Sequence, residues 1–206
     1  MLTKQQLNIL SVFTKNLFGA LTFKQIKEQS RQKSNNVTQI ALKEFLKNNL
    51  VTTKIIGDVT TYSLNLNSYT YSYLNLINEI ELKRKKIPSK VLNDIRERIT
   101  KYTPFFILLV FGSYAKGSVT QKSDLDVAVI VESEQSKKEI SPFIETVKRR
   151  EATGIDYHIF TSAEFVEMLR SEQENLGKEI YRENIIHYGT IAYYIIIKGL
   201  KNEYIS

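Results

Sequence analysis

The 206-residue chain carries 29 Lys/Arg against 22 Asp/Glu, a formal net charge of +7, and has no cysteine, which excludes disulfide scaffolds, thiolate metal sites and cysteine nucleophiles. No apolar run approaches the roughly 20 residues of a membrane-spanning helix, the longest candidates being 105–111 and 191–197. The opening MLTKQQLNIL has one lysine and no small-residue cleavage site, so the chain reads as soluble and cytoplasmic, with no membrane partner.

The charge is not spread evenly. Residues 1–70 hold nine Lys/Arg and three Asp/Glu, whereas residues 71–206 hold 20 and 19, so a polyanion is expected to meet the first third. There, Thr3 and Gln6 form a capping-box pattern ahead of Leu7, Leu10, Phe13 and Leu17, which predicts a helix to about Phe18. Thr22 and Gln25 repeat the box, with Leu21 and Ile26 placed as a hydrophobic staple, for a second, short helix ending near Ser30. In NNVTQIALKEFLKNN, residues Val37, Ala41, Leu42, Phe45 and Leu46 share one side of a third helix, and Asn49 suits a left-handed closing position. The period then becomes strand-like: VTTKII and VTTYSL flank Gly57-Asp58, a hairpin signal.

Three helices followed by a hairpin resemble the winged helix-turn-helix family, and LKEFLKNNLV is similar to that family's third helix and its exit into the wing. The resemblance implies a DNA-binding domain over residues 1–67, with the third helix in the major groove and the wing beside the backbone. On the face opposite the apolar one, Asn35, Asn36, Thr38, Gln39, Lys43 and Lys47 are the candidate base readers and phosphate contacts, with Lys54 on the wing. A small helical domain with a solvated or protein-binding polar face is the alternative.

Residues 68–87 read as a connecting helix with Tyr69, Tyr73, Leu76, Ile77 and Ile80 on one face, closed by KRKK at 83–86 as a solvated, charge-favourable end. That tyrosine-rich face either packs as core or makes a homodimer contact. Pro88 interrupts, and Ser89 is placed to cap a helix bearing Leu92, Ile95 and Ile99.

The chemistry-bearing stretch follows. PFFILLVF predicts a buried strand that delivers Gly112-Ser113 at its C-terminal end, where glycine permits a tight corner and SYAKG a short helix whose free N–H groups face an anion. DLDVAVIV predicts a neighbouring strand, and its period of two puts Asp124 and Asp126 on one face, where paired carboxylates suit magnesium. The pattern G-S-x10-D-x-D resembles the signature of the polymerase β-type nucleotidyltransferase superfamily. FGSYAKG…SDLDVAVIV is similar to its minimal nucleotidyltransferase branch, over about residues 88–200.

The resemblance implies a third acid, Asp156 in GIDYHIF, two magnesium ions held by Asp124, Asp126 and Asp156, and a nucleoside triphosphate whose β/γ phosphates rest on Gly112 and Ser113. Lys116 is then a phosphate contact and Ser123 a supporting one, while Asp156 is the ligand nearest the attacking oxygen. His158 shares the face of Asp156 and reads as a surface or packing histidine in preference to a proton-transfer group, and His187 is assigned a structural role. The region 162–182 reads as helical, ENIIHYG as a short edge strand, and IAYYIIIKGL as an apolar closing segment with Tyr193, Tyr194, Ile196 and Ile197.

The expected fold class is therefore α+β: a winged helix domain (1–67), a connecting helix (68–87) and a small mixed-sheet nucleotidyltransferase domain (88–206). The expected activity is magnesium-dependent transfer of a nucleoside monophosphate, AMP from ATP, to a hydroxyl. Near-balanced charge around the site points to a protein or small acceptor rather than long nucleic acid. A partner toxin protein is the acceptor the resemblance favours, small molecules and an RNA end being others. The competing reading is a transcription regulator whose second domain binds nucleotide without turning it over.

Overall fold

A computed structural model describes residues 1–203, which divide into two compact units, one over Met1–Ile77 and one beginning at Asn78. Among the described residues no helix is long and apolar enough to cross a membrane.

The first unit begins with α1 (Lys4–Leu10), whose start is fixed by the Thr3/Gln6 capping box, each side chain bonding the other's backbone N–H. The helix is shorter than its apolar spacing predicts, because it tightens into a 3-10 turn over Ser11–Lys15. β1 (Ala20–Thr22) leads through a second capping box, Thr22/Gln25, into α2 (Phe23–Gln29), and α3 (Asn35–Lys47) follows. Asn49 (φ 55°) closes α3 in the left-handed conformation predicted for it. The hairpin of β2 (Val51–Ile56) and β3 (Val59–Leu64) turns at Gly57-Asp58, and β1 adds to it, giving an antiparallel sheet of order β1-β3-β2. β1 has no counterpart in the sequence reading, since three residues are too few to show a period.

Helix α4 (Ser68–Arg84) contains the division between the two units, which falls after Ile77. Its buried residues include Thr70, Tyr71, Tyr73, Leu74, Ile77, Asn78 and Leu82, while Tyr69 stays 47% exposed with its hydroxyl 3.1 Å from that of Tyr73. The buried stripe is thus rotated from the predicted one, and Asn67 caps it through Thr70.

In the second unit α5 (Ser89–Thr100) buries Val91, Leu92, Ile95 and Ile99. Its cap position is Pro88, not the predicted Ser89, whose hydroxyl turns back to the Ile87 carbonyl. β4 (Phe106–Val110), β5 (Leu125–Val131), β6 (Ile155–Thr161) and β7 (Ile185–Tyr188) form one sheet of order β6-β5-β4-β7. β5 and β6 are parallel, joined through α7 (Glu134–Lys148), and the other pairs are antiparallel. Alternate residues of β4 and β5 (Phe106, Leu108, Val110; Leu125, Val127, Val129, Val131) pack with α5 and α7 into one apolar core. On the opposite face lie α8 (Ser162–Arg170) and α10 (Thr190–Glu203), the latter burying Tyr193, Tyr194 and Ile197. The predicted helical region 162–182 is two helices, α8 and α9 (Leu176–Arg182), because Asn175 starts a new cap.

β7 pairs with β4 through a bulge: Leu108 faces Tyr188 and Leu109 faces Ile186, leaving His187 as the extra residue. Its ring is buried with no hydrogen-bond partner for either nitrogen, and burial, with the Arg96 charge, lowers its pKa to about 4. The unfolded imidazole takes its proton near 6.5, so stability is fully present above that pH and is lost as pH falls toward 4. At about 1.4 kcal/mol per pH unit the loss amounts to roughly 3 kcal/mol. Denaturant unfolding between neutral pH and pH 4.5 should show it, and His187→Phe should remove most of the dependence.

Candidate active site

The site grows from the end of β4. Phe111 is extended (φ −133°, ψ −160°), its N–H bonding the Asp126 carbonyl at 3.1 Å, and α6 (Gly112–Lys116) starts immediately after it. Gly112 adopts φ +62°, and a Cβ built there would lie 1.9 Å from Oδ2 of Asp126. The corner must therefore be glycine for two reasons, the left-handed backbone and the carboxylate lying against it. The Asp126 carboxylate lies against this corner, where the Ser113 backbone favours its ionised form.

Asp126, on β5, is half-buried and pairs in register with Asp156 on the parallel strand β6. Its carboxyl is held above the usual carboxylate range, first by burial and then by repulsion from Asp156, Asp124 and Glu179, the Ser113 bond opposing them. Asp124 stands before β5 rather than within it and is exposed. It lies against Gly154, where an added Cβ would come 1.8 Å from its Oδ1, and the neighbouring Leu125 N–H bonds the Gly154 carbonyl at 2.8 Å. Asp156 is exposed, with His158 Nε2 3.5 Å from its Oδ2, and the His158 ring neighbours those of Phe160 and Phe111, each at 6.1 Å.

A cavity of about 440 Å³ adjoins Asp124, lined by Tyr114, Thr120, Lys122, Ser123 and Gly154 among others. Ser123 accepts the Thr120 N–H at 2.9 Å, so its hydroxyl shapes the cavity's loop. Lys116 points to Glu179 on α9 (2.9 Å), an exposed pair that raises the lysine's pKa through its hydrogen bond and charge. Three carboxylates are the hard-oxygen donors that suit magnesium, and a cation would relieve the repulsion felt by Asp126. Among the described residues, however, no three His, Cys, Asp or Glu side chains are grouped closely enough to hold an ion as they stand.

The sequence reading gives no site role to Gly154, Glu179 or Lys85. Gly154 had a signal in its place two residues before the third acid, but Glu179 and Lys85 reach this region only through folding.

In the first unit, Asn36, Gln39, Lys43 and Lys47 lie exposed on α3 and Lys54 is exposed on β2. Asn35 is exposed with its Oδ1 accepting from Lys27 at 2.6 Å. Thr38 is a correction. It is fully buried, its hydroxyl bonding the Ser34 carbonyl at 3.3 Å, because it lies three and four residues before Ala41 and Leu42 and shares their inward face. Leu46, expected inside, is 39% exposed on the flank, and Ile40 stands 53% exposed among the polar residues.

No curated protein is significantly similar to the chain. Residues 93–190 match the family model described as "Polymerase beta, Nucleotidyltransferase", a span that holds Gly112, Ser113 and all three aspartates. The match supports placing this part of the chain in the polymerase β-type nucleotidyltransferase superfamily.

Proposed function

We propose that the protein is a magnesium-dependent nucleotidyltransferase that moves AMP from ATP to a hydroxyl on a partner protein, with DNA binding by a winged helix at residues 1–67. The observation that carries the catalytic reading is the Gly112-Ser113 corner clasped to Asp126, itself in register with Asp156. Gly112 lets the backbone approach a phosphate closely, and the Ser113 hydroxyl is the donor beside it. Asp124, Asp126 and Asp156 would hold magnesium, which when bound supplies charge neutralisation of the leaving pyrophosphate and a lowered pKa for the acceptor hydroxyl. Asp156 would be the ligand nearest the attacking oxygen and the base for its proton, a role supported by its exposure beside His158.

Residues 71–206 carry 20 Lys/Arg and 19 Asp/Glu, a balance that suits a protein acceptor better than a polyanion. A toxin partner follows from the resemblance to minimal nucleotidyltransferases that act as antitoxins. The test is incubation with magnesium, labelled ATP and the product of the neighbouring gene, following label on protein and release of pyrophosphate. Neither signal, with Asp124→Asn and Asp126→Asn leaving biological activity intact, would end the enzymatic reading. The second reading is a regulator that binds nucleotide without turning it over; it predicts saturable ATP binding and no pyrophosphate.

DNA binding is supported by the excess of nine Lys/Arg over three Asp/Glu in residues 1–70 and by the helix order ending in a hairpin. Lys43→Ala with Lys47→Ala should weaken binding to all duplex sequences alike and reduce the slope of log affinity against log salt by about 2. Fluorescence anisotropy between 50 and 200 mM salt, a range in which phosphate contacts lose affinity steeply, measures it. Affinity indifferent to salt would remove the lysines from the interface.

A further inference from the structure

We propose that Lys85 is a positioning residue for the candidate active site: it anchors the C-terminal end of α6 and so fixes the Gly112-Ser113 corner against Asp126. The role in turnover rests on the nucleotide reading of that corner.

The KRKK run at 83–86 predicts a solvated helix end, and Lys83 and Lys86 are indeed exposed. Lys85 is not: its side chain is 14% exposed, its ammonium donates to the Ala115 carbonyl, and the carboxylates of Glu81 and Glu183 lie 3.9 and 4.0 Å from it.

Helix α6 has five residues, far fewer than a helix needs to persist on its own. Its last carbonyls therefore need donors from elsewhere. Gly117, in the left-handed conformation, returns its N–H to Tyr114, and Ser118 returns its own to Ser113. The next carbonyl along, that of Ala115, is the one Lys85 takes, placing a positive charge at the negative end of the helix. At the opposite end the Gly112 backbone lies directly against the Asp126 carboxylate, so close that an added Cβ would come 1.9 Å from its Oδ2. A segment this short behaves as one rod, so freedom at the Ala115 end becomes freedom at the corner. Glu81 and Glu183 balance the lysine charge and hold the ammonium in place.

The experiment compares the full-length chain with Lys85→Met, which keeps the aliphatic stem, Lys85→Arg, which keeps a donor and charge, and Lys83→Met as the exposed control. Amide hydrogen exchange over residues 112–118 should accelerate about tenfold or more in Lys85→Met, stay unchanged in Lys83→Met and be partly restored in Lys85→Arg. In the magnesium–ATP assay, Lys85→Met should raise KM about tenfold with kcat lowered less than threefold, since the aspartates are untouched. Unchanged exchange in Lys85→Met, or equal acceleration in Lys83→Met, overturns the proposal. Loss of cooperative unfolding in Lys85→Met overturns it as well, because the lysine would then serve the whole unit rather than one helix. If the native chain neither binds nor turns over ATP, the reading of the site fails, while the exchange measurement still decides whether Lys85 anchors α6.

Discussion

Asp126→Asn is expected to abolish nucleotidyl transfer, by about a thousandfold or more, while leaving the fold as stable as before or slightly more so. A thousandfold corresponds to roughly 4 kcal/mol of lost transition-state stabilisation, the scale expected for removing a central metal-binding charge. The gain in stability follows from the environment of the native carboxylate. Burial, and then Asp156, Asp124 and Glu179, raise its pKa, so the folded chain holds this proton more tightly than the unfolded one. The stabilisation from that proton is present below the ordinary carboxylate pKa and is lost as pH rises through the raised folded value. At neutral pH the ionised group therefore opposes folding, and a neutral isostere removes the opposition. Thermal unfolding without magnesium should place Asp126→Asn at or above the native chain. Adding magnesium should reverse the order, raising the native transition by about 2.7 kcal/mol at a hundred times the dissociation constant and the variant's hardly at all. A variant with native transfer activity would dismiss Asp126 from the chemistry.

Gly112→Ala is expected to lose both activity and stability. Alanine in the left-handed region costs about 1–2 kcal/mol, and its Cβ would lie 1.9 Å from Oδ2 of Asp126, so the corner or the carboxylate must move. A total loss of about 2–4 kcal/mol in denaturant unfolding, with transfer reduced at least about a hundredfold, is the expected outcome. Two other glycines separate the causes. Gly57→Ala meets nothing within 4 Å at φ +58°, so it should cost about 1 kcal/mol and leave transfer unchanged. Gly154→Ala has no left-handed backbone but would crowd the exposed Asp124 carboxylate to 1.8 Å, so it should lower transfer with little effect on stability. Equal losses from all three would mean that generic glycine strain, not the clasp on Asp126, sets the behaviour.

Features set by neighbouring residues are legible in the sequence. The capping boxes Thr3/Gln6 and Thr22/Gln25, the turn at Gly57-Asp58, the left-handed Asn49 and the buried strands either side of Gly112-Ser113 depend on interactions within a few residues. Which face of a helix turns inward is not a local property in this chain. Thr38, assigned by position to the face opposite the apolar one, lies inward with Ala41 and Leu42, its hydroxyl satisfied by Ser34. The stripe on α4 was rotated for the same reason, since a helix with apolar residues on several sides has no single face that spacing alone selects.

By itself the sequence determined that Gly112-Ser113 would stand at a strand's end and that the next strand would carry Asp126 near its start, because turn geometry and the period-two alternation are local properties of the chain. Tertiary structure alone decided that Asp126 lies beside Asp156, through the parallel register of β5 and β6, that Asp124 falls just outside its strand, and that His187 is caught in a bulge. It also decided that Lys116 meets Glu179 and that Lys85 reaches Ala115, 30 residues away. Pairings of that kind depend on how strands register and how helices pack across the whole unit, a balance of many weak contacts that no short stretch of sequence encodes.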